Sequence, residues 1–130
     1  MAEAWVSDGL GGAQSAGVNV YQCVINQTYT NTGTADLNGE ERDLGSPQVG
    51  TARLTVTTLT GTTQLLDAKL QHRAASTDSF VDVTNGAFTQ INAAGTEAIA
   101  VVLHRYVRVV TNYTNTITAA DWNVKLTLKN

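Results

Sequence analysis

Apolar and polar residues alternate along most of this chain. The clearest case is Trp122-Asn123-Val124-Lys125-Leu126-Thr127-Leu128. Side chains on a strand point to opposite faces in turn, so one face of this segment covers a core and the other meets water. The same rule predicts strands at Ala52–Thr57, Leu66–Gln71 and Tyr106–Thr111, with shorter ones at Phe80–Val83 and Phe88–Ile91. Val18–Ile25 reads as a first, apolar strand, and a short edge strand is expected near Tyr29. Turns are expected at Thr60-Gly61-Thr62, at residues 74–79 and at Thr84-Asn85-Gly86, where Gly, Asn and Ser punctuate the pattern. No helical periodicity intervenes. The expected fold class is all-β: a single antiparallel β-sandwich of seven to nine strands, jelly-roll-like or immunoglobulin-like. Alternation does not encode strand order.

Two segments depart from the pattern. Ala98-Ile99-Ala100-Val101-Val102-Leu103 is apolar on both faces, which calls for cover on both sides. The cover is either the N-terminal segment or another chain, and Ile99 and Val101 are candidate interface residues. Residues 1–17 are broken by Gly9, Gly11, Gly12 and Gly17 and read as an N-terminal arm, with the sandwich domain at 18–130. Trp5 and Val6 lie near the free end. They either fold back on their own domain or reach a neighbouring subunit, a role for which tryptophan is well suited. Residues 28–46 form a long, polar, turn-rich connection.

At 130 residues the chain is the size of one ordinary domain, which buries roughly two-thirds of its unfolded surface and needs no staples. Threonine occurs 20 times against 11 acidic residues, and many copies fall on outward strand positions. This β-branched residue suits a half-exposed sheet and gives a stiff, neutral surface. The net charge is −3, and the eight Lys and Arg are scattered singly, so a nucleic-acid partner is not expected. No apolar run reaches the roughly 20 residues of a membrane span, and no secretory signal opens the chain. No membrane partner is expected, and synthesis in a cytoplasm is. Asn26-Gln27-Thr28 and Asn112-Tyr113-Thr114 match the glycosylation pattern by chance on this reading. The lone cysteine, Cys23, excludes an intrachain disulfide and reads as a small buried hydrophobe.

Candidate chemistry is sparse. No nucleophile elbow, zinc-type His pair or phosphate loop is present, so no enzyme activity, catalytic residue or cofactor is expected. His72 and His104 each end an apolar strand beside an arginine and read as structural. Asp36-Leu37-Asn38-Gly39-Glu40-Glu41-Arg42-Asp43 has oxygen ligands around a glycine, as a Ca²⁺ loop does. It lacks the spacing to a bidentate Glu, and a solvated acidic loop is the expected reading; no metal site is assigned. A glycan-binding module needs exposed rings, and aromatics make up 6%. Trp122 is in phase with the core, leaving Tyr29 and Tyr113 as candidates.

Three segments taken together resemble a known family. They are Leu66-Asp67-Ala68-Lys69-Leu70-Gln71-His72-Arg73, Ser76-Thr77-Asp78-Ser79-Phe80-Val81-Asp82-Val83 and Tyr106-Val107-Arg108-Val109-Val110. The pattern is similar to that of small β-sandwich proteins encoded among the head genes of tailed bacteriophages. It spans roughly residues 50–130, and the turn here is less glycine-rich than usual. The resemblance implies a capsid decoration, or cement, protein located on the virion capsid surface. Its partner would be the major capsid protein, and it would act as a homo-oligomer, with a trimer favoured and a dimer possible. The family offers no catalytic residues to transfer. The alternative is a glycan-binding β-sandwich module of a phage tail or fibre.

Overall fold

The computed structural model describes residues 3–6, 18–31 and 35–129, with side chains from residue 39 onward. The described chain is all-β. Eight strands run β1 (Glu3–Val6), β2 (Val18–Asn31), β3 (Ala35–Asn38), β4 (Arg42–Asp43), β5 (Gln48–Arg73), β6 (Val81–Ala87), β7 (Gly95–Leu103) and β8 (Tyr106–Lys129). All pairings are antiparallel. The central path is β1-β2-β8-β5-β6, with β3 and β4 also on β8 and β7 also on β5.

Two strands are far longer than the pattern predicts. Ala52–Thr57 and Leu66–Gln71 are parts of one 26-residue strand, and Tyr106–Thr111 and Trp122–Leu128 belong to one of 24. The expected turn at Thr60-Gly61-Thr62 is a bend inside a continuous ladder. The β5–β8 register slips at Val56/Thr58, Thr60/Gly61 and Thr62/Leu65. Each extra residue bends and twists the ribbon without ending it. Thr63 and Asn115 take positive φ there (48° and 68°), and Asn115 Nδ2 donates to the Thr63 carbonyl at 2.8 Å. Threonine hydroxyls clip the same corner, with Thr60 Oγ1 3.1 Å from Thr118 Oγ1.

The bend decides the architecture. Leu54 and Leu70 lie at opposite ends of β5, yet both belong to one hydrophobic cluster with Val124 and Val109 of β8. Sixteen residues of straight strand would separate them by about 50 Å. The sheet therefore curls on itself. One half carries β1, β2, the C-terminal part of β8, the N-terminal part of β5, and β7. The other carries β3, β4, the N-terminal part of β8, the C-terminal part of β5, and β6. Trp122, 2% exposed, donates its indole N–H to the hydroxyl of Tyr113 at 2.8 Å and so links the two parts of β8 inside the core. Trp122 is buried as its phase predicts. Tyr113, expected as an exposed ring, is fully buried, because the bulge after Ile117 shifts the inward parity of β8 from even to odd positions.

Smaller departures have similar causes. Thr84-Asn85-Gly86 lies inside β6, where Asp82 faces Gln71 and Ala87 faces Lys69, so the intervening residues bulge out with Asn85 at φ 56°. Phe88–Ile91 forms no strand; Ile91 makes one bridge to Leu66, and Phe88 packs in the core. The connection at 28–46 contains the end of β2 and the short strands β3 and β4.

Candidate functional site

The residues that carry the resemblance are scattered in sequence and meet on the outer face of the half-sheet β6-β5-β8-β4. Gln71 stands in register with Arg108 of β8 and Asp82 of β6, and Arg73 with Tyr106. Directly opposed residues of an antiparallel ladder share a face, so register alone assembles the group. Arg108 donates through Nε and Nη2 to Gln71 Oε1 at 3.0 and 2.7 Å. Gln71 Nε2 in turn donates to Asp82 Oδ1 at 2.8 Å, and Lys69 Nζ lies 3.1 Å from the same carboxylate. The Phe80 ring sits under two guanidinium groups, those of Arg108 at 4.1 Å and Arg73 at 4.5 Å.

Arg73 ties two loops to this face. Its Nη1 donates to the Asp78 carbonyl at 3.0 Å, and its Nε and Nη2 donate to Glu41. Arg105 makes a two-point bond to Asp43 at 2.8 and 2.9 Å, and the Gly45 amide adds a third donor to that carboxylate at 2.7 Å. The Arg105 bond, then the Gly45 amide, holds the Asp43 carboxyl down at about 2. The hydrogen bond from Gln71, then that from Lys69, lowers Asp82. Arg108 is lowered by burial and then by the charge of Arg73.

This pairing bears on the acidic loop. Glu41 and Asp43 face arginines, and among the described residues no group of three His, Cys, Asp or Glu stands close enough to hold a metal ion. The constellation is a clasp: it pins the 74–80 turn and the 39–47 loop onto both long strands. The sequence shows Arg73 at a strand end, Glu41 in an acidic loop and Phe80 and Arg108 in strands, and not their convergence, because the four come from separate segments.

His72, 9% exposed, accepts the His104 backbone N–H at its Nδ1 at 3.0 Å, and the two rings lie 4.2 Å apart. Nδ1 is therefore the unprotonated nitrogen of a neutral ring. Burial first, and the charge of His104 second, lower the pKa of His72. The arrangement joins the end of β5 to the end of β7, as a structural histidine does.

A second surface surrounds β7. Val101 is 4% exposed and belongs to the core, and Ile99 is half-buried against it. The opposite side of the strand carries Ala98, Ala100 and Val102, all exposed, with Val102 at 69%. Val49 of β5, 41% exposed, stands directly opposite Val102 in the ladder. A groove of about 600 Å³ opens beside them, bounded by Val49, Gly50, Val101, Val102, His72 and His104, and by the Thr84-Asn85 bulge. The run that is apolar on both faces is thus covered on one side by this chain's core and bare on the other among the described residues. Simple alternation was the available signal: it separates Ile99, Val101 and Leu103 from Ala98, Ala100 and Val102.

Trp5 and Val6 lie in β1, where they pair with Cys23 and Gln22 of β2. The side chains of Trp5, Val6, Cys23 and Tyr29, and residues 7–17 of the expected arm, lie outside the described residues.

No family model matches the chain, and no curated protein matches it in sequence. Among solved structures, that of the infectious bursal disease virus Gx strain is similar at a TM-score of 0.47 and 9% identity, over 87% of this chain and 33% of that one. The VP2 subviral particle of infectious bursal disease virus follows at 0.46 and 12%, again over 87% and 33%. The module TmCBM61, solved with β-1,4-galactotriose, is similar at 0.32 and 9%, over 98% of this chain and 86% of that one. The chain spans about a third of the length of the two viral chains. The structural neighbours thus include a viral capsid protein and a carbohydrate-binding module, and likenesses this shallow carry no functional argument.

Proposed function

We propose that this chain is a structural virion protein that binds the outer surface of an assembled phage capsid and reinforces contacts between capsomers. The observation that carries the reading is the contrast between its surfaces. The charged face is engaged in its own clasp, whereas the β7 face presents bare, uncharged apolar groups around Val49 and Val102. An exposed apolar patch beside a groove is the mark of a surface that meets a macromolecule. The resemblance of residues 66–73, 76–83 and 106–110 to head-gene sandwich proteins supports the capsid as that macromolecule. The clasp gives such a protein what it needs, a stiff body that keeps its contact surface in shape.

The mechanism is mass action. A protein that binds the assembled shell and not its free subunits stabilises the shell by the free energy of its own binding. Several copies, each with modest contacts, sum to tight attachment. The test is co-sedimentation of purified protein with expanded capsids of its own phage, together with mass spectrometry of virions. The expected result is saturable binding to shells and presence in the particle. Absence from virions and no co-sedimentation would sink the proposal.

A further inference from the structure

We infer that the outer face of the half-sheet β7-β5-β8-β2 is a docking surface for an acidic protein surface, one of whose carboxylates seats between Arg53 and Lys125. The inference rests on the capsid reading and deepens it. It names the residues of this chain that meet the shell and the chemistry the shell presents to them.

Register assembles this face row by row. Val102, Val49 and Lys129 stand abreast on β7, β5 and β8, followed by Ala100, Thr51 and Thr127, then Ala98, Arg53 and Lys125, then Thr96, Thr55 and Asn123. The residues between them on the long strands, such as Ala52, Leu54, Val124, Leu126 and Leu128, are buried, so these rows look outward. All are exposed except Thr55 and Asn123, which are half-buried. The β2 residues in register with the same rows are Val18, Val20, Gln22 and Val24, none of them charged.

The four rows thus hold three cations and no acid, in a chain with 11 acidic residues against eight basic ones. Glu97 stands in the inward row of Leu54 and bonds to the Thr89 amide and hydroxyl at 2.7 and 3.1 Å. Asp121 lies about 13 Å along β8 from Lys125, beyond the bulge at Val56/Thr58. Lys69, Arg73 and Arg105 each bridge to a carboxylate, whereas Arg53, Lys125 and Lys129 have none among the described residues.

Arg53 and Lys125 are directly opposite in the ladder. Like charges so placed repel, and the fold gains nothing from them. A local rule broken without a compensating gain marks a place where function is expected. The two side chains start about 5 Å apart, a gap that the two oxygens of one carboxylate can span. A carboxylate there replaces the repulsion with two charge-assisted hydrogen bonds. The donor of that carboxylate is a protein. No aromatic ring stands in these rows for a base to stack on, and three cations on a chain of net charge −3 give a nucleic acid little counterion release. Val49 and Val102 close one end of the face with apolar contact, 41% and 69% exposed, which a folded surface can match.

The test is co-sedimentation with expanded capsids of its own phage, with thermal midpoints measured on the same samples. The proteins are the wild type, Lys125→Glu, its mirror Arg53→Glu, and Ser76→Glu/Thr77→Glu, which makes the same change of net charge in the exposed 74–79 turn. In each single variant an opposite-charge pair replaces the repelling one, so its midpoint should equal or exceed that of the wild type. Its binding to shells should nevertheless weaken by about tenfold or more, while the turn variant binds as the wild type does. Wild-type binding should weaken as salt is raised. Full binding by either single variant, equal loss in the turn variant, or a lower midpoint in both single variants overturns the inference and leaves the capsid reading standing. A wild type that ignores shells sinks both. If that wild type instead binds duplex DNA, and Lys125→Glu does not, the face belongs to a nucleic acid.

Discussion

Thr111 is the residue whose chemistry fits its place least well. It is fully buried on β8, opposite Ala68, and among the described residues its hydroxyl has no hydrogen-bond partner. A buried donor left unsatisfied costs about 1–3 kcal/mol relative to its hydrated state. Valine has nearly the same shape without the hydroxyl. Thr111→Val should therefore raise stability by about 1 kcal/mol, read as a thermal midpoint about 3–5 °C higher. A lower midpoint would mean that the hydroxyl has a partner that the structure does not show. Trp122 is the contrasting case, since its indole N–H is equally buried but reaches the Tyr113 hydroxyl. Sequence phase placed Trp122 in the core. It could not place Tyr113, whose inward direction depends on a bulge several residues away.

The long strands explain which elements were legible. Alternation at Ala52–Thr57, Leu66–Gln71 and Trp122–Leu128 is a local property and survives in β5 and β8, as does the inward phase of each segment. The turn at Thr60-Gly61-Thr62 was misread because a glycine between threonines signals a reversal and a bulge equally well. What separates the two outcomes is the partner strand, some 55 residues further on. A Cβ added to Gly61 would stand 1.9 Å from the Thr116 carbonyl oxygen and 3.0 Å from the Ile117 Cα. The glycine thus permits close backbone approach at the corner where the sheet curls. Gly61→Ala should cost about 2–4 kcal/mol in urea unfolding, since the obstacle is backbone and cannot rotate away. A loss below about 1 kcal/mol would show that the corner relaxes freely and that Gly61 does not set the bend. The clasp was illegible for the same reason as the bend. Its residue types were visible, but their meeting is a consequence of register between distant strands.

At the scale of the whole molecule, acid should weaken the fold in two steps, each traceable to named groups. His72 is held neutral by burial and by His104, so its folded pKa lies below the ordinary 6.5. As pH falls through 6.5, the unfolded chain takes up a proton at His72 that the folded chain resists. Stability must decline from there until the folded pKa is reached. The carboxylates act lower and in the same direction. Asp43 is held at about 2 against an ordinary 3.8, and Asp82 is also lowered, so their bridges are fully present above 3.8 and are lost as pH falls below it. Both carboxylates are solvent-exposed, which makes their step shallow and sensitive to salt. Urea midpoints measured from pH 8 to pH 3 should be flat above pH 7, fall as pH drops through 6.5, and fall again below 4. His72→Gln removes the titrating ring and should flatten the first step while leaving the second. A wild-type midpoint that does not move between pH 7 and 5 would place His72 in water. The β5–β7 junction that His72 and His104 join would then be open.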